Sequence, residues 1–251
     1  MNIKNPTIII QARTDSHRFP KKVLKRINNK PLLYYVIERS KTSKLSKNVI
    51  IATTRKKSDE SIVNIAKRMN VDLYRGPTKN VLKRFYECAV KFNVDPIIRI
   101  TGDCPLIDSK IIDKHIKIFQ TGNYDYVTNI LDPTSPDGLD VEVFSFKLLK
   151  KLNKICKFKS EKEHVTSYII NNQKKFKIYN LKMKDDYSHI RLTVDEIEDL
   201  KLIKKIYQLK KPLMNFCLKE ILDIIEKYPH LLKINSKHKR DEGYQLSLLK
   251  D

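Results

Sequence analysis

Short apolar runs alternate along this chain with stretches of helical period. Residues 7–11, 48–52, 97–101, 124–128, 140–144, 176–181 and 190–194 have the composition of strands. Between them Leu32, Leu33, Val36 and Ile37 form a helical stripe, as do Ile62, Ala66 and Met69. Val81, Leu82, Phe85 and Ala89 make another, and Ile111, Ile112, His115, Ile116 and Phe119 a fourth. Strands alternating with helices require crossover connections, so the expected fold is α/β, Rossmann-like, with a mainly parallel central sheet. The middle departs from that rhythm. Asp132-Pro133-Thr134-Ser135-Pro136-Asp137-Gly138 reads as a turn-rich loop, and residues 147–184 as a small inserted lobe closing over a site. A second helical unit is expected over 218–228, after Lys210-Lys211-Pro212, followed by a polar tail over 234–251.

Length and composition change this picture little. A chain of 251 residues with 41% hydrophobic content fits one large domain. No apolar run approaches membrane-spanning length, and the first residues lack a signal-peptide layout, so a cytoplasmic protein without membrane contact is expected. Cys88, Cys104, Cys156 and Cys217 form no CxxC pair and read as reduced thiols. The net charge of +22 ordinarily suggests nucleic acid. Here 11 of the 51 basic residues are Arg, leaving 40 Lys (51 − 11) spread along the chain, which points to compositional bias. Such charge still speeds encounter with anionic substrates.

Open α/β sheets bind ligands at the carboxyl ends of their strands. The first such end carries Gln11, Ala12, Arg13, Ser16, Arg18, Lys21 and Lys22 in one basic loop. It contains no glycine, so it is neither a P-loop nor a dinucleotide fingerprint, and side-chain charge has to replace backbone amides in holding a polyanion. The second end is Thr101-Gly102-Asp103-Cys104-Pro105, and the third is Thr193-Val194-Asp195-Glu196. Two carboxylates facing a basic loop suit a Mg²⁺-nucleotide, because magnesium takes one or two protein carboxylates and fills its other positions with phosphate and water. Each charge contact is worth on the order of 4 kcal/mol at 4 Å and an effective dielectric near 20, before desolvation. Asp195 has a rival role, since Asp195-x-x-Glu198 also reads as a helix cap. His115 on its apolar stripe reads as structural.

The Gln11-Ala12-Arg13…Ser16-x-Arg18-x-Pro20-x-Lys22-x-Leu24 loop resembles the signature of sugar cytidylyltransferases, the CMP-KDO synthetase and acylneuraminate cytidylyltransferase superfamily. It is most similar to the branch named for spore coat polysaccharide biosynthesis protein F. The resemblance continues through Ile51-Ala52-Thr53-Thr54, Arg75-Gly76, Val81-Leu82-x-Arg84-Phe85, Ile100-Thr101-Gly102-Asp103-Cys104-Pro105, Asp137-Gly138-Leu139-Asp140-Val141-Glu142, Glu163-His164-Val165-Thr166, Thr193-Val194-Asp195-Glu196 and Glu242-Gly243-Tyr244. It implies a nucleotidyltransferase (nucleotide-diphospho-sugar transferase) fold and transfer of CMP from CTP to a small-molecule sugar or sugar-acid acceptor for surface polysaccharide, with release of pyrophosphate. Carried over, Arg13, Lys22 and Asp103 become catalytic, while Gln11, Ala12, Ser16, Arg18, Arg84 and Thr101 join Arg13 and Lys22 around the nucleotide. Asp103 and Asp195 would hold Mg²⁺. Asp140, Glu142 and His164 would meet the acceptor, and a homodimer is implied. Asp15 and Lys21 stand where that branch usually has glycine; Asp15 would repel phosphate unless paired with a neighbouring base.

Two other functions compete at this stage. A nucleotide-sugar glycosyltransferase shares the α/β nucleotide domain and an acidic metal motif, but has no leaving pyrophosphate for the basic loop to neutralise. A non-catalytic nucleic-acid-binding protein would show steeply salt-dependent binding, yet the chain has no recognisable reading module.

Overall fold

The computed structural model describes residues 5–210 and 216–240, together with Glu242 and Gln245. Strand β1 (Thr7–Gln11) is followed by a hairpin of β2 (Arg26–Ile27) and β3 (Lys30–Pro31) and by α1 (Leu32–Lys41). Next come β4 (Asn48–Thr54), α2 (Glu60–Arg68), β5 (Asp72–Gly76), α3 (Val81–Phe92), β6 (Ile97–Thr101) and α4 (Ser109–Gln120). The second half holds β7 (Tyr126–Thr128), β8 (Glu142–Phe144), α5 (Phe146–Ile155), α6 (Lys159–Glu163), α7 (Ser167–Asn171) and β9 (Ile178–Asn180). Helices α8 (Ile197–Leu209) and α9 (Leu218–Lys227) follow, and a 3-10 helix at Pro229–Ile234 comes after them.

The main sheet has seven strands in the order β5-β4-β1-β6-β8-β7-β9. Strand β8 pairs antiparallel with both β6 and β7, while the other pairings are parallel. The α/β class and the mainly parallel sheet therefore match the expectation from periodicity. The chain leaves β1 towards β4 on one side and returns to β6 on the other. That reversal of winding opens a crevice beyond the carboxyl ends of β1 and β6.

Strand alternation divides the core into two layers. Ile8, Ile10, Val49, Ile51, Ile98 and Ile100 face α1, α4, α8 and α9, which contribute Val36, Ile116, Ile203 and Ile221. Ile9, Ile50, Ala52 and Ile97 face the opposite layer, built on Phe85 of α3, Leu149 of α5 and Ile169 of α7. Residues 147–184, read from sequence as a lobe, supply α5 to α7 of this layer and the last strand, β9.

The structure departs from the expected elements in several places. Residues 190–194 are not a strand: Ile190, Leu192 and Val194 are buried, but the backbone bonds of this stretch go to Asp137 and Asp103 in loops. Strand β5 was not expected, because Asp72-Leu73-Tyr74-Arg75-Gly76 is a half-exposed sheet edge with little apolar content. Helix α8 is anticipated only through its cap beside Asp195, and its buried stripe of Leu200, Ile203, Ile206 and Tyr207 adds to the expectation. Strands expected over 124–128, 140–144 and 176–181 are shorter, at Tyr126–Thr128, Glu142–Phe144 and Ile178–Asn180.

Candidate active site

The basic loop leaves β1 at Gln11 and is pinned from beneath by a carboxylate that the sequence reading overlooked. Asp59, 1% exposed, accepts from the Thr14 amide at 2.8 Å and the Thr14 hydroxyl at 2.6 Å. Its other oxygen accepts from the Thr54 hydroxyl and from Thr53 at 3.3 Å. Burial works to raise the Asp59 pKa, but the hydrogen bonds from Thr14 and Thr54 prevail and hold it below the usual carboxylate range. The only signal available in sequence was the Thr53-Thr54 pair closing an apolar strand.

The two unusual loop residues have local explanations. Lys21 adopts φ 58°, ψ 29°, the left-handed region where glycine carries no Cβ penalty. Asp15 pairs with Lys56 at 2.5 Å, so its charge is neutralised by a neighbouring base. Close approach to the second loop depends on Gly102, where a Cβ would lie 2.8 Å from the Gln11 carbonyl oxygen. Gly138, at φ +98°, lets its loop press on residues 192–193; a Cβ there would sit 2.4 Å from the Thr193 nitrogen.

These constraints bring together the loops after β1 and β6 and the segment that leads into α8. Lys22 Nζ lies 2.5 Å from Asp103 Oδ2 and 2.5 Å from Asp195 Oδ1. Burial disfavours the Lys22 charge, but the two carboxylates outweigh that and raise its pKa above the ordinary value. Burial likewise pushes Asp195 up, while Lys22, Arg18 and Arg191 together hold it down at about 2. Arg18 Nη2 is 3.0 Å from Asp195, and Arg191 Nη2 is 3.1 Å from it. Arg191 also binds Asp137 at 2.8 Å and Asp199 at 3.0 Å. Two carboxylates converging on one ammonium form a donor set that a small divalent cation can share.

The expected cap at Asp195-x-x-Glu198 is displaced by one residue. Asp199 Oδ2 accepts from the amides of Asp195 at 2.9 Å and Glu196 at 3.0 Å. Glu198 turns instead to Lys237 and His238. The Asp195 carboxylate is thereby left to the cleft rather than spent on the helix.

The acceptor-side residues are arranged differently. Glu142 is 1% exposed and bonds Arg99, Tyr126 and Thr166, so direct acceptor contact by Glu142 is corrected: both its oxygens are taken. Arg99, its ion-pair partner, also donates from Nε to Gln11 Oε1 at 3.2 Å. Asp140 receives Arg240 Nη2 at 2.5 Å, and Arg240 Nη1 donates to the Ser135 carbonyl at 3.2 Å. Half-buried His164 follows α6 directly, beside Glu163, which pairs with Arg13 at 2.8 Å. Thr101 contacts Cys104 Sγ at 3.0 Å beneath Asp103.

Arg84 is 1% exposed behind Arg13, and its Nε has no hydrogen-bond partner. Burial, reinforced by Arg13, pushes its pKa down to about 10. Ala12 is buried and bonded to Ala52, and Ser16 is half-buried at the turn. His17 is exposed, and Arg75 is bound to Glu60, Thr54 and Lys56. Tail residue Glu242 reaches Arg18 at 3.5 Å, whereas Gly243 and Tyr244 lie outside the described residues.

A doubly layered sheet with basic and acidic strand ends meeting at its winding reversal defines the class of nucleotidyltransferases that act on activated phosphates. Comparison with known proteins makes this specific. A cytidylyltransferase family model matches residues 7–224, and the chain belongs to that family. It is 39% identical over 241 residues to the uncharacterized protein MJ1063 of Methanocaldococcus jannaschii, covering 94% of this chain and 96% of that one. Similarity to the spore coat polysaccharide biosynthesis protein SpsF of Bacillus subtilis is 30% over 230 residues, covering 88% and 94%. A solved cytidylyltransferase from Leptospira borgpetersenii superposes with a TM-score of 0.88 at 35% identity, covering 91% of this chain and 96% of that one. The chain is thus a CTP-using nucleotidyltransferase by family. No described helix is long and apolar enough to cross a membrane.

Proposed function

We propose that this protein transfers CMP from CTP to a small sugar or sugar-acid acceptor, releasing pyrophosphate, in the cytoplasm and in the service of surface polysaccharide. The observation that carries the proposal is Lys22, from the loop after β1, bracketed by Asp103 beyond the carboxyl end of β6 and Asp195 just before α8. The donor set fits Mg²⁺, with Asp103 and Asp195 as its protein ligands. Bound there, the metal would supply Lewis acidity to the α-phosphate and charge neutralisation.

The chain's own residues account for the remaining work. Lys22, Arg13 and Arg18 neutralise the triphosphate and the charge that develops on the departing pyrophosphate. Gln11, Ala12, Ser16, Thr101 and Arg84 shape the nucleotide side. Asp140, His164 and Arg99, the last oriented by Glu142, face the acceptor. An acceptor oxygen attacks the α-phosphorus, forming one P–O bond as the bond to pyrophosphate breaks, and loses its proton to solvent or a cleft carboxylate. Positioning and charge suffice, with no covalent enzyme intermediate.

The test is release of pyrophosphate from CTP by the pure protein with Mg²⁺ and a panel of sugars and sugar acids. Asp103→Asn should lower that rate by roughly a hundredfold to a thousandfold, on the scale of losing a principal transition-state electrostatic contact, with an unchanged melting temperature. A rate within a factor of about two of wild type would remove Asp103 from the reaction. Release of nucleoside diphosphate from a nucleotide sugar would instead favour a glycosyltransferase.

A further inference from the structure

The cations assigned to the triphosphate are each already held by a carboxylate of the chain itself. Lys22 is held by Asp103 and Asp195, the pair assigned to the metal. Arg13 is held by a carboxylate that has no part in the metal set, and Arg18 by Asp195 of that set together with two that have no part in it. Arg13 Nη2 meets Glu163 Oε1 at 2.8 Å, across 150 residues of sequence. All three nitrogens of the Arg18 guanidinium face carboxylates: Nη2 to Asp195 at 3.0 Å, Nη1 to Glu242 at 3.5 Å and Nε to Glu196 at 3.9 Å. The charge of an arginine so surrounded is already met, and a phosphate has to compete with these carboxylates for it.

Burial says which partners can leave. The Glu163 and Glu242 side chains are 39% and 34% exposed. Each also belongs to a segment tied to the acceptor side. Glu163 is the last residue of α6, adjoining His164. Glu242 follows Arg240, which grips Asp140, on a tail segment anchored where Asn235 bonds Asp199 at 2.8 Å and Arg191 donates to the Lys239 carbonyl at 3.1 Å.

We infer that Glu163 and Glu242 are positioning residues that hold Arg13 and Arg18 in place and yield them to the incoming triphosphate. This rests on the CTP-dependent reading of the site. Anion replaces anion on each guanidinium, so little charge is left unpaired at any stage. The exchange frees the end of α6 beside His164 and the tail residue that follows Arg240, the partner of Asp140.

The sign of the effect separates this role from a merely structural one. Removing a structural support weakens ligand binding, whereas removing a competitor strengthens it. Calorimetric titration of the full chain with Mg-CTP, and with magnesium tripolyphosphate as a base-free probe, should show Glu163→Gln and Glu242→Gln binding each ligand about threefold to fivefold more tightly than wild type, the scale of a half-exposed ion pair. The double variant should gain about tenfold, because the two pairs are separate. If either single variant fails to fold, Glu163→Asp or Glu242→Asp, which draws the charge back by one methylene, should show the same sign with a smaller gain. Unchanged or weaker binding by the variants, with wild type binding both ligands, overturns the inference alone. A wild type that binds neither ligand overturns the cytidylyltransferase reading and this inference together.

Discussion

Arg99–Glu142 on the cleft floor and Arg13–Glu163 on its rim are the same chemical pair in two settings. The floor pair spans neighbouring strands in register, with side chains 13% and 2% exposed and Glu142 further bonded by Tyr126 and Thr166. The rim pair joins a loop to a short helix, with side chains 32% and 39% exposed. Charges that hold the shape of the cleft are sunk in the sheet with their lone pairs taken. Charges that must change partners are left where water can help them part. Breaking a buried pair by removing one partner costs several kcal/mol, whereas an exposed pair is worth at most about 1 kcal/mol.

The largest expected effect on stability therefore falls on the floor. Glu142→Ala leaves a desolvated guanidinium without its carboxylate and should lower unfolding stability by about 3–5 kcal/mol in urea. Glu163→Gln should change it by less than about 0.5 kcal/mol. Equal losses from the two substitutions would erase the distinction.

The next effect concerns His115, fully buried on α4 with Nδ1 at 2.8 Å from the Ile111 carbonyl and no partner on Nε2. Burial pushes its pKa down to about 4 from 6.5. A base with a depressed pKa is favoured neutral in the fold, so its contribution is intact above pH 6.5 and is lost as pH falls towards 4. About 3 kcal/mol should disappear across that window, and His115→Gln should flatten the profile of stability against pH. The smallest effect is at Lys21, whose left-handed backbone predicts that Lys21→Gly stabilises by about 0.5–1 kcal/mol, or a melting temperature higher by about 1–4 °C.

The same contrast explains what could be read in advance. Strands β1 and β6 were placed to the residue because Ile8-Ile9-Ile10 and Ile97-Ile98 are unbroken apolar runs buried on both faces. The loops at their ends followed, and with them Lys22 and Asp103. Residues 190–194 look like a strand for the same compositional reason, but their hydrogen-bond partners are loops, which no local pattern reveals. Asp59, Arg99, Glu163 and Arg191 are given no role by the sequence because each acquires one through a partner far along the chain: Thr14, Glu142, Arg13 and Asp137. Glu142 was noticed for its charge and assigned to the acceptor. Only the fold shows that this charge is consumed by Arg99.

One contact has a long reach along the sequence: Arg18 and Glu242 stand 224 positions apart. During synthesis the basic loop emerges well before its tail counterpart. A ribosome-bound chain short of Glu242 would therefore carry Arg18 without that carboxylate, and this side of the crevice would mature late.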